Sequence, residues 1–117
     1  MRILYIDIDT LRADHLGCYG YHRNTSPHID AFTEENIIFE NTISQSPWTL
    51  PSHMSIMTGL YPAFHGVRQY DNFLADEHVT LAELLKNGGY QTAAFTDGGF
   101  LVFRNFVVTI RYTSSQV

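Results

Sequence analysis

Apolar strand-like segments alternate with helical patterns along the first part of the chain. Segment 3–8 is apolar and rich in isoleucine apart from Asp7, which is typical of a strand buried in a parallel sheet. Segments 37–43 and 90–96 are similar and predict a second and a third strand. Because helical patterns lie between them, the sequence predicts a β–α–β–α–β order with right-handed crossovers.

Start and stop signals mark the helices between these strands. Ser26 followed by Pro27 predicts an N-cap and a first helical residue. Thr80 and Glu83 have the spacing of a capping box, and Gly88 is the expected end of that helix. The face of this helix predicted to be buried consists of Leu81, Leu84 and Leu85.

A further helix is predicted next to Thr49. Pro51 suits a first helical turn because its missing N–H costs no hydrogen bond there, and Gly59 can end the helix. Thr49 then lies at or just before the N-cap, beside unpaired backbone N–H groups and the positive end of the helix dipole. This position suits a nucleophile that binds anions, and it also suits a plain threonine N-cap.

The composition describes a small, acidic, globular chain. Its 117 residues fit one domain or less, and 44% hydrophobic with 16% charged residues argues against disorder. A net charge of −5 with 7 Lys and Arg residues argues against a nucleic-acid surface. The single cysteine, Cys18, excludes an internal disulfide. Apolar runs are too short for a transmembrane helix or a signal peptide, so we expect a cytoplasmic location by default.

Several short motifs surround the acidic and hydroxyl residues. They are TLPSH at 49–53, TGLYP at 58–62, HGV at 65–67, and the segment 9–20, which ends in Leu-Gly-Cys-Tyr-Gly. A helix of the Pro-x-x-Asp type at 27–30 accompanies them. Together they resemble the N-terminal part of the sulfatase family, metal-dependent hydrolases of the alkaline-phosphatase-like superfamily.

The resemblance covers residues 1–100 and implies an α/β fold. In that family the fold is a three-layer, parallel-sheet arrangement of the alkaline-phosphatase-like type, which would be truncated here. Residues 101–117 match nothing in the family and form a separate C-terminal tail in this interpretation. Because so few strands cannot easily bury both faces of a sheet, we expect exposed apolar surface and association through it.

Departures from the family pattern bear on the chemistry. Thr49 stands where typical sulfatases have a Cys or Ser that is oxidised to formylglycine, which threonine cannot form. His53 replaces an arginine, and Thr96-Asp97-Gly98-Gly99 stands where sulfatases have a Gly-Lys-x-His segment whose Lys and His bind sulfate. In these respects the chain is similar to superfamily members that use a threonine alkoxide, such as nucleotide pyrophosphatases and phosphoethanolamine or glycerophosphate transferases.

The resemblance implies a divalent cation bound by Asp9 and Thr49, with Asp7 as a weaker candidate ligand. Asp9 follows the first predicted strand, and ligands collect at the carboxyl ends of strands in open α/β sheets. Asp7 otherwise suits a strand carboxylate satisfied by backbone donors. Calcium is the usual sulfatase ion, and zinc, manganese and magnesium are the alternatives. Asp14 and His15 are expected to cap the turn that follows.

Two more side chains are candidates for the catalytic site. Asn72, in a long loop predicted over 61–76, matches an asparagine that helps hold the oxyanion in phosphate-cleaving relatives. It equally suits a turn after Asp71. His53, one turn along the helix from Thr49, either donates to the ester or faces solvent.

These observations lead to the hypothesis that the chain is the N-terminal fragment of a metal-dependent hydrolase. Thr49 would attack a sulfate or phosphate ester carried by a small molecule or a glycan. The alternatives are a phosphodiesterase or phospho-group transferase of the same superfamily, and an inert truncated fragment. We expect the 117-residue chain itself to be inactive, because later metal ligands of the family are missing from it.

Overall fold

A computed structural model describes residues 1–69 and 72–95 and the backbone of residues 111 and 112. Its helices are α1 (Pro27–Glu34), α2 (Thr49–Thr58), α3 (Pro62–His65) and α4 (Leu81–Asn87). Its strands are β1 (Tyr90–Gln91) and β2 (Arg111–Tyr112), and short 3-10 turns lie at Ala13–His15 and Gly17–Tyr19. None of the helices in these ranges has the length and apolar character needed to cross a membrane.

The chain divides into two compact units. The smaller unit is Asp7–Ile43, and the larger unit joins Met1–Ile6 to the chain from residue 44 onward. Helix α1 and both 3-10 turns belong to the smaller unit, and α2, α3, α4 and the paired strands belong to the larger one.

A polar cluster holds α1 to the preceding turn within the smaller unit. Ser26 is buried, and its Oγ accepts a hydrogen bond from the Gly17 N–H at 2.9 Å. The Asp30 carboxylate accepts from the Cys18 N–H at 2.8 Å and from the Ser26 hydroxyl at 3.0 Å. We call Gly17, Cys18, Ser26 and Asp30 the Asp30 cluster. Helix α1 begins at Pro27 as predicted, but Ser26 uses its hydroxyl within this cluster rather than as a side-chain cap.

Helix α2 is the centre of the larger unit. Positions 50, 54 and 57 recur at helical spacing and form one buried face. The core cluster comprises Leu50, Met54, Met57 and Val67, with Trp48 and Leu74 packed against it. Each such side chain contributes about 1.5–3 kcal/mol when fully buried. The helix ends at Gly59, whose φ of 70° confirms the predicted glycine stop.

The predicted capping box of α4 is confirmed. Thr80 Oγ1 accepts from the Glu83 N–H at 3.3 Å, and the Glu83 carboxylate accepts from the Thr80 N–H at 2.8 Å. The hydrogen bond from the Thr80 N–H lowers the pKa of Glu83. At the other end the helix stops at Asn87 with Gly88 as its C-cap, as predicted, and the left-handed glycine is the next residue, Gly89, with a φ of 87°.

The predicted buried face of α4 is wrong at two of its three leucines. Leu81 and Leu84 are 37% and 59% exposed, whereas Leu85 is half-buried and Ala82 is 6% exposed. Among the described elements α4 has its main contacts with α2 and β1. Leu81 and Leu84 are therefore exposed because no further layer of the described structure covers them.

The predicted parallel sheet is absent from the part of the chain that the structure describes. Segments 3–8 and 37–43 have no regular strand structure, and Leu4 and Ile37 are each 83% exposed. Instead of starting a third parallel strand, β1 pairs antiparallel with β2, with Tyr90 opposite Tyr112. A buried strand needs neighbours that bond its backbone and cover its faces, and the described residues form no such sheet around these segments. The predicted tail at 101–117 lies outside the described residues apart from the backbone of β2.

Gly17→Ala is expected to lower the free energy of unfolding of the smaller unit. A Cβ at position 17 would collide with the Asp30 carboxylate. Overpacking of this kind costs roughly 1–3 kcal/mol. Urea denaturation followed by circular dichroism measures the loss.

The matched control is the same substitution in an Asp30→Ala background, which removes the colliding carboxylate. There the cost of Gly17→Ala should be clearly smaller, because directly interacting residues have non-additive effects. Equal costs in the two backgrounds would contradict the collision.

Candidate active site

Thr49 lies in the first turn of α2, at the helix end that favours anions. The N-cap is Trp48, so Thr49 is the first helical residue and not the N-cap residue expected from the sequence. Pro51 falls in the same turn, as predicted. The N–H groups of a first turn have no partner within the helix, and the positive end of the helix dipole lies there. Thr49 is half-buried at this position.

Serine hydroxyls tie the segment before α2 to the first turn of the helix. Ser44 Oγ donates to the Ser46 carbonyl at 2.8 Å, and the hydroxyl oxygens of Ser44 and Ser52 are 2.8 Å apart. Because Ser44 has one hydroxyl hydrogen and uses it on Ser46, Ser52 is the donor in the serine pair. The direction of both hydrogen bonds is thereby fixed.

His53 is buried beside Thr49, so the solvent-facing alternative from the sequence is wrong. The residue is 8% exposed. Its Nδ1 lies 2.8 Å from the Thr49 carbonyl oxygen, which only accepts, so Nδ1 carries the hydrogen. A neutral His53 then presents Nε2 as an acceptor. Donation to an ester would require a ring that is protonated on both nitrogens.

His65 is a second buried histidine, for which the sequence alone indicates no role. It is 2% exposed, and its Nδ1 accepts from the Val67 N–H at 3.1 Å. Its Nε2 lies 3.1 Å from the Ser55 hydroxyl oxygen. Burial lowers the pKa of His65. Its sequence signal is the HGV motif at 65–67, which does not reveal that the partner is Ser55.

Asn72 has the turn role that the sequence left open. Its Oδ1 accepts from the Arg68 N–H at 3.1 Å and from the Gln69 N–H at 3.0 Å. The predicted long loop around it contains α3, and Asp71 lies outside the described residues. Any contact of Asn72 with an oxyanion would therefore depend on its side-chain nitrogen.

The segment with the predicted metal ligands is a tight turn in the smaller unit. The Leu11 N–H donates to the Ile8 carbonyl at 3.3 Å, and Thr10 has a φ of 66°. Positive φ is costly for a β-branched residue because its side chain crowds the backbone. Asp7 and Asp9 are exposed next to this strained position.

Asp14 forms an ion pair rather than the predicted cap of the turn. The Arg12 guanidinium donates from Nε to its carboxylate at 2.8 Å, and His15 Nδ1 lies 3.0 Å from the same oxygen. The hydrogen bonds from Arg12 and then His15 hold the pKa of Asp14 well below its usual range. The group is exposed, so the pairing contributes little to stability.

Asp7, Asp9 and Thr49 offer oxygen ligands of the kind that calcium prefers. No group of three or more His, Cys, Asp and Glu side chains that could hold a metal occurs within the described ranges. Calcium takes about six to eight oxygen ligands. Asp7 and Asp9 belong to the smaller unit and Thr49 to the larger, so one ion shared by Asp9 and Thr49 stays a prediction.

The motifs have counterparts in known proteins. The sulfatase family model matches residues 2–110, and so extends over residues 101–110 of the segment that the motifs alone left unmatched. The chain is 37% identical over 91 residues to an ulvan-active sulfatase of Formosa agariphila, a match that covers 78% of the chain and 18% of that protein. It is 33% identical over 99 residues to an N-acetylgalactosamine-6-O-sulfatase of Bacteroides thetaiotaomicron, covering 77% and 19%. It is 32% identical over 95 residues to the iduronate 2-sulfatase of Homo sapiens, covering 79% and 17%.

The matches extend over both candidate regions of the site. The family model includes the Asp9 turn and helix α2 within residues 2–110. The chain spans 17–19% of the length of these three relatives. No solved structure matches it significantly.

Thr10→Gly is expected to raise the free energy of unfolding. Removing the side chain relieves about 1–2 kcal/mol of strain at a φ of 66°, and the greater freedom of glycine in the unfolded chain offsets about 0.5–1 kcal/mol. Thermal denaturation should show a small increase in Tm.

Thr42→Gly is the matched control, because Thr42 is exposed and has no positive φ. It should lower stability through chain entropy alone. A loss at Thr10 as large as the loss at Thr42 would show that position 10 is not strained.

Proposed function

The chain belongs to the sulfatase family, and from this premise we propose that it is the N-terminal part of a sulfuric ester hydrolase with Thr49 as its nucleophile. Membership of the family supports hydrolysis of sulfate esters. The observation that carries the finer proposal is the position of Thr49 in the first turn of α2. The hydrolase activity is proposed for a whole protein of the relatives' length that contains this chain.

The proposed reaction has two displacement steps at sulfur. Thr49 Oγ bonds to the ester sulfur, the bond between sulfur and the alcohol oxygen breaks, and the alcohol leaves with the threonine proton. Water then attacks the threonine sulfate, which restores the Thr49 hydroxyl and releases hydrogen sulfate. Such covalent catalysis depends on activation of a hydroxyl that is a weak nucleophile by itself.

Helix α2 assists this chemistry by favouring negative charge at Thr49. A helix N-terminus contributes about 0.3–1 kcal/mol to an exposed anion. That is far less than ionisation of a threonine hydroxyl at neutral pH requires. The helix can therefore orient and support the nucleophile, but the activation needs a further positive charge.

We propose that a divalent cation, calcium in the first place, is held by Asp9 and Thr49. Asp7 is the weaker candidate ligand, and zinc, manganese and magnesium are the alternatives to calcium. The later ligands of the family are missing from the 117 residues of this chain. Such an ion supplies the positive charge that favours the ionised form of a bound hydroxyl.

His53 and Asn72 have separate parts in the proposal. His53 holds the first turn of α2 through its hydrogen bond to the Thr49 carbonyl. Asn72 would donate from its side-chain nitrogen to the developing oxyanion, since its oxygen accepts from the turn. A donor placed in this way contributes roughly 3 kcal/mol to transition-state stabilisation.

Cleavage of a phosphate ester is the second candidate, and the residue types at 49 and 53 favour it. Threonine cannot form formylglycine. His53 points Nδ1 at a backbone carbonyl, so it does not present the fixed cationic fork that an arginine would offer an ester. A phosphodiesterase or phospho-group transferase with a threonine nucleophile fits both observations.

The relatives indicate the class of molecule that carries the ester. They are named for ulvan, N-acetylgalactosamine and iduronate, and steryl-sulfatases also match the chain. We therefore propose a glycan or a small molecule as the carrier, with no role for nucleic acid.

In the full-length protein, Thr49→Ala is expected to lower kcat/KM by about three orders of magnitude or more with the fold retained, because a covalent nucleophile is lost. Assays with nitrophenyl sulfate and with a nitrophenyl phosphate diester measure the loss. The relative rates on the two esters separate the sulfatase from the phosphodiesterase.

Thr49→Ser is the control, since it keeps a hydroxyl at the same position and should retain measurable turnover. Activity of Thr49→Ala within about tenfold of the parent would rule out Thr49 as the nucleophile.

The 117-residue chain alone is expected to bind calcium, zinc and manganese weakly and to hydrolyse neither ester. Its matched ligands are fewer than the roughly six to eight oxygens that calcium takes or the roughly four ligands that zinc takes, so water would hold most coordination positions. Isothermal titration calorimetry and the same assays test this. Stoichiometric micromolar binding together with turnover would show that the chain contains a whole site.

A further inference from the structure

The ring of His65 joins two elements of the larger unit. One nitrogen accepts from the Val67 N–H, in the segment after α3, at 3.1 Å. The other lies 3.1 Å from the hydroxyl of Ser55, on the buried face of α2. His65 is 2% exposed and Val67 is fully buried in the α2 core. The ring therefore adds a polar contact between α2 and the segment after α3, which already pack together through Val67.

This geometry defines the protonation state of the ring. Because Nδ1 accepts from a backbone N–H, it carries no hydrogen, and the neutral ring has its hydrogen on Nε2. Nε2 then donates to the Ser55 oxygen. A second proton would have to sit on Nδ1, directly opposite the Val67 N–H. Protonation would thus set two donors against each other inside the core.

The surroundings act on the ring in opposite directions. Burial disfavours the charged form most strongly, whereas the backbone of Pro51 on α2 and the backbone of His65 itself favour it through hydrogen bonds. The positive charge of Arg68 and of protonated His78 also disfavours it. The net effect is a pKa of His65 below its ordinary value.

The contact reaches the helix that carries Thr49. Ser55 and Pro51 both belong to α2, and Pro51 shares its first turn with Thr49. A short helix has little stability of its own, so its position depends on the elements that pack on it. The contact of His65 with α2 therefore influences the position of the first turn of this helix.

We propose that His65, as a neutral ring with its hydrogen on Nε2, is a positioning residue that fixes α2 against residues 62–67, and that protonation releases this hold. The link to Thr49 rests on the proposed function, whereas the hold on α2 does not.

The direction of the pH dependence follows from the lowered pKa. In the unfolded chain the ring takes up a proton near pH 6.5, whereas in the folded chain it does so only at lower pH. The hold is complete above about pH 6.5 and is lost as the pH falls through the folded-state pKa.

Nuclear magnetic resonance of the ring nitrogens in the 117-residue chain tests the proposal without any activity assay. At about pH 7.5 His65 should show the Nε2–H tautomer, and its pKa should lie below the ordinary histidine value of 6.5. A hydrogen on Nδ1, or a midpoint at or above that ordinary value, would overturn the proposal.

Hydrogen exchange of the α2 amides tests the hold itself. Protection factors of residues 53–57 should fall by about tenfold or more in His65→Leu, which leaves a buried backbone donor unpaired. His65→Gln keeps a donor for Ser55, so it should restore part of the protection and remove its pH dependence. His28→Gln should change neither.

Protection in His65→Leu equal to that of the parent would overturn the proposal. If His65→Leu does not fold, the tautomer and titration of the parent chain still decide the matter. A full-length protein that cleaves no ester would count against the proposed function while these measurements stand.

Discussion

The packing of α2 on the segment that follows α3 is the interaction on which the larger unit depends. Helix α2 has 10 residues, which is too short for a stable helix in isolation. Val67 covers its apolar face, and His65 adds a hydrogen bond to Ser55 on the same helix. Apolar contact supplies most of the stability, while the hydrogen bond selects one orientation. The position of Thr49 follows from both.

The smaller unit is organised on a different principle. Its buried residue is Ser26, and the Asp30 carboxylate accepts a hydrogen bond from the backbone of the preceding turn. Hydrogen bonds to a charged group are stronger than neutral ones, at about 1.5–3 kcal/mol. The close approach requires glycine at position 17, where a side chain would occupy the place of the carboxylate. A tight turn, with Thr10 in a strained conformation, therefore precedes a polar and not an apolar core.

Helix ends could be predicted from the sequence because their signals are local. Pro27, the Thr80–Glu83 box and Gly59 each act within one turn of the helix that they begin or end. The strands could not be predicted in this way, since an apolar run becomes a strand only where another strand lies beside it. The same limit applies to the site. The place of Thr49 near a helix start is local, whereas the pairing of His65 with Ser55 arises only from tertiary contact.

The serine hydroxyls beside α2 determine which polar groups its first turn presents. Ser44 donates to Ser46, so Ser52 donates to Ser44 and has only lone pairs to offer other groups. An anionic oxygen is repelled by those lone pairs and attracted by the N–H groups at the start of the helix. The two hydroxyl hydrogens therefore leave an acceptor, and not a donor, at the Ser52 oxygen in the first turn of α2.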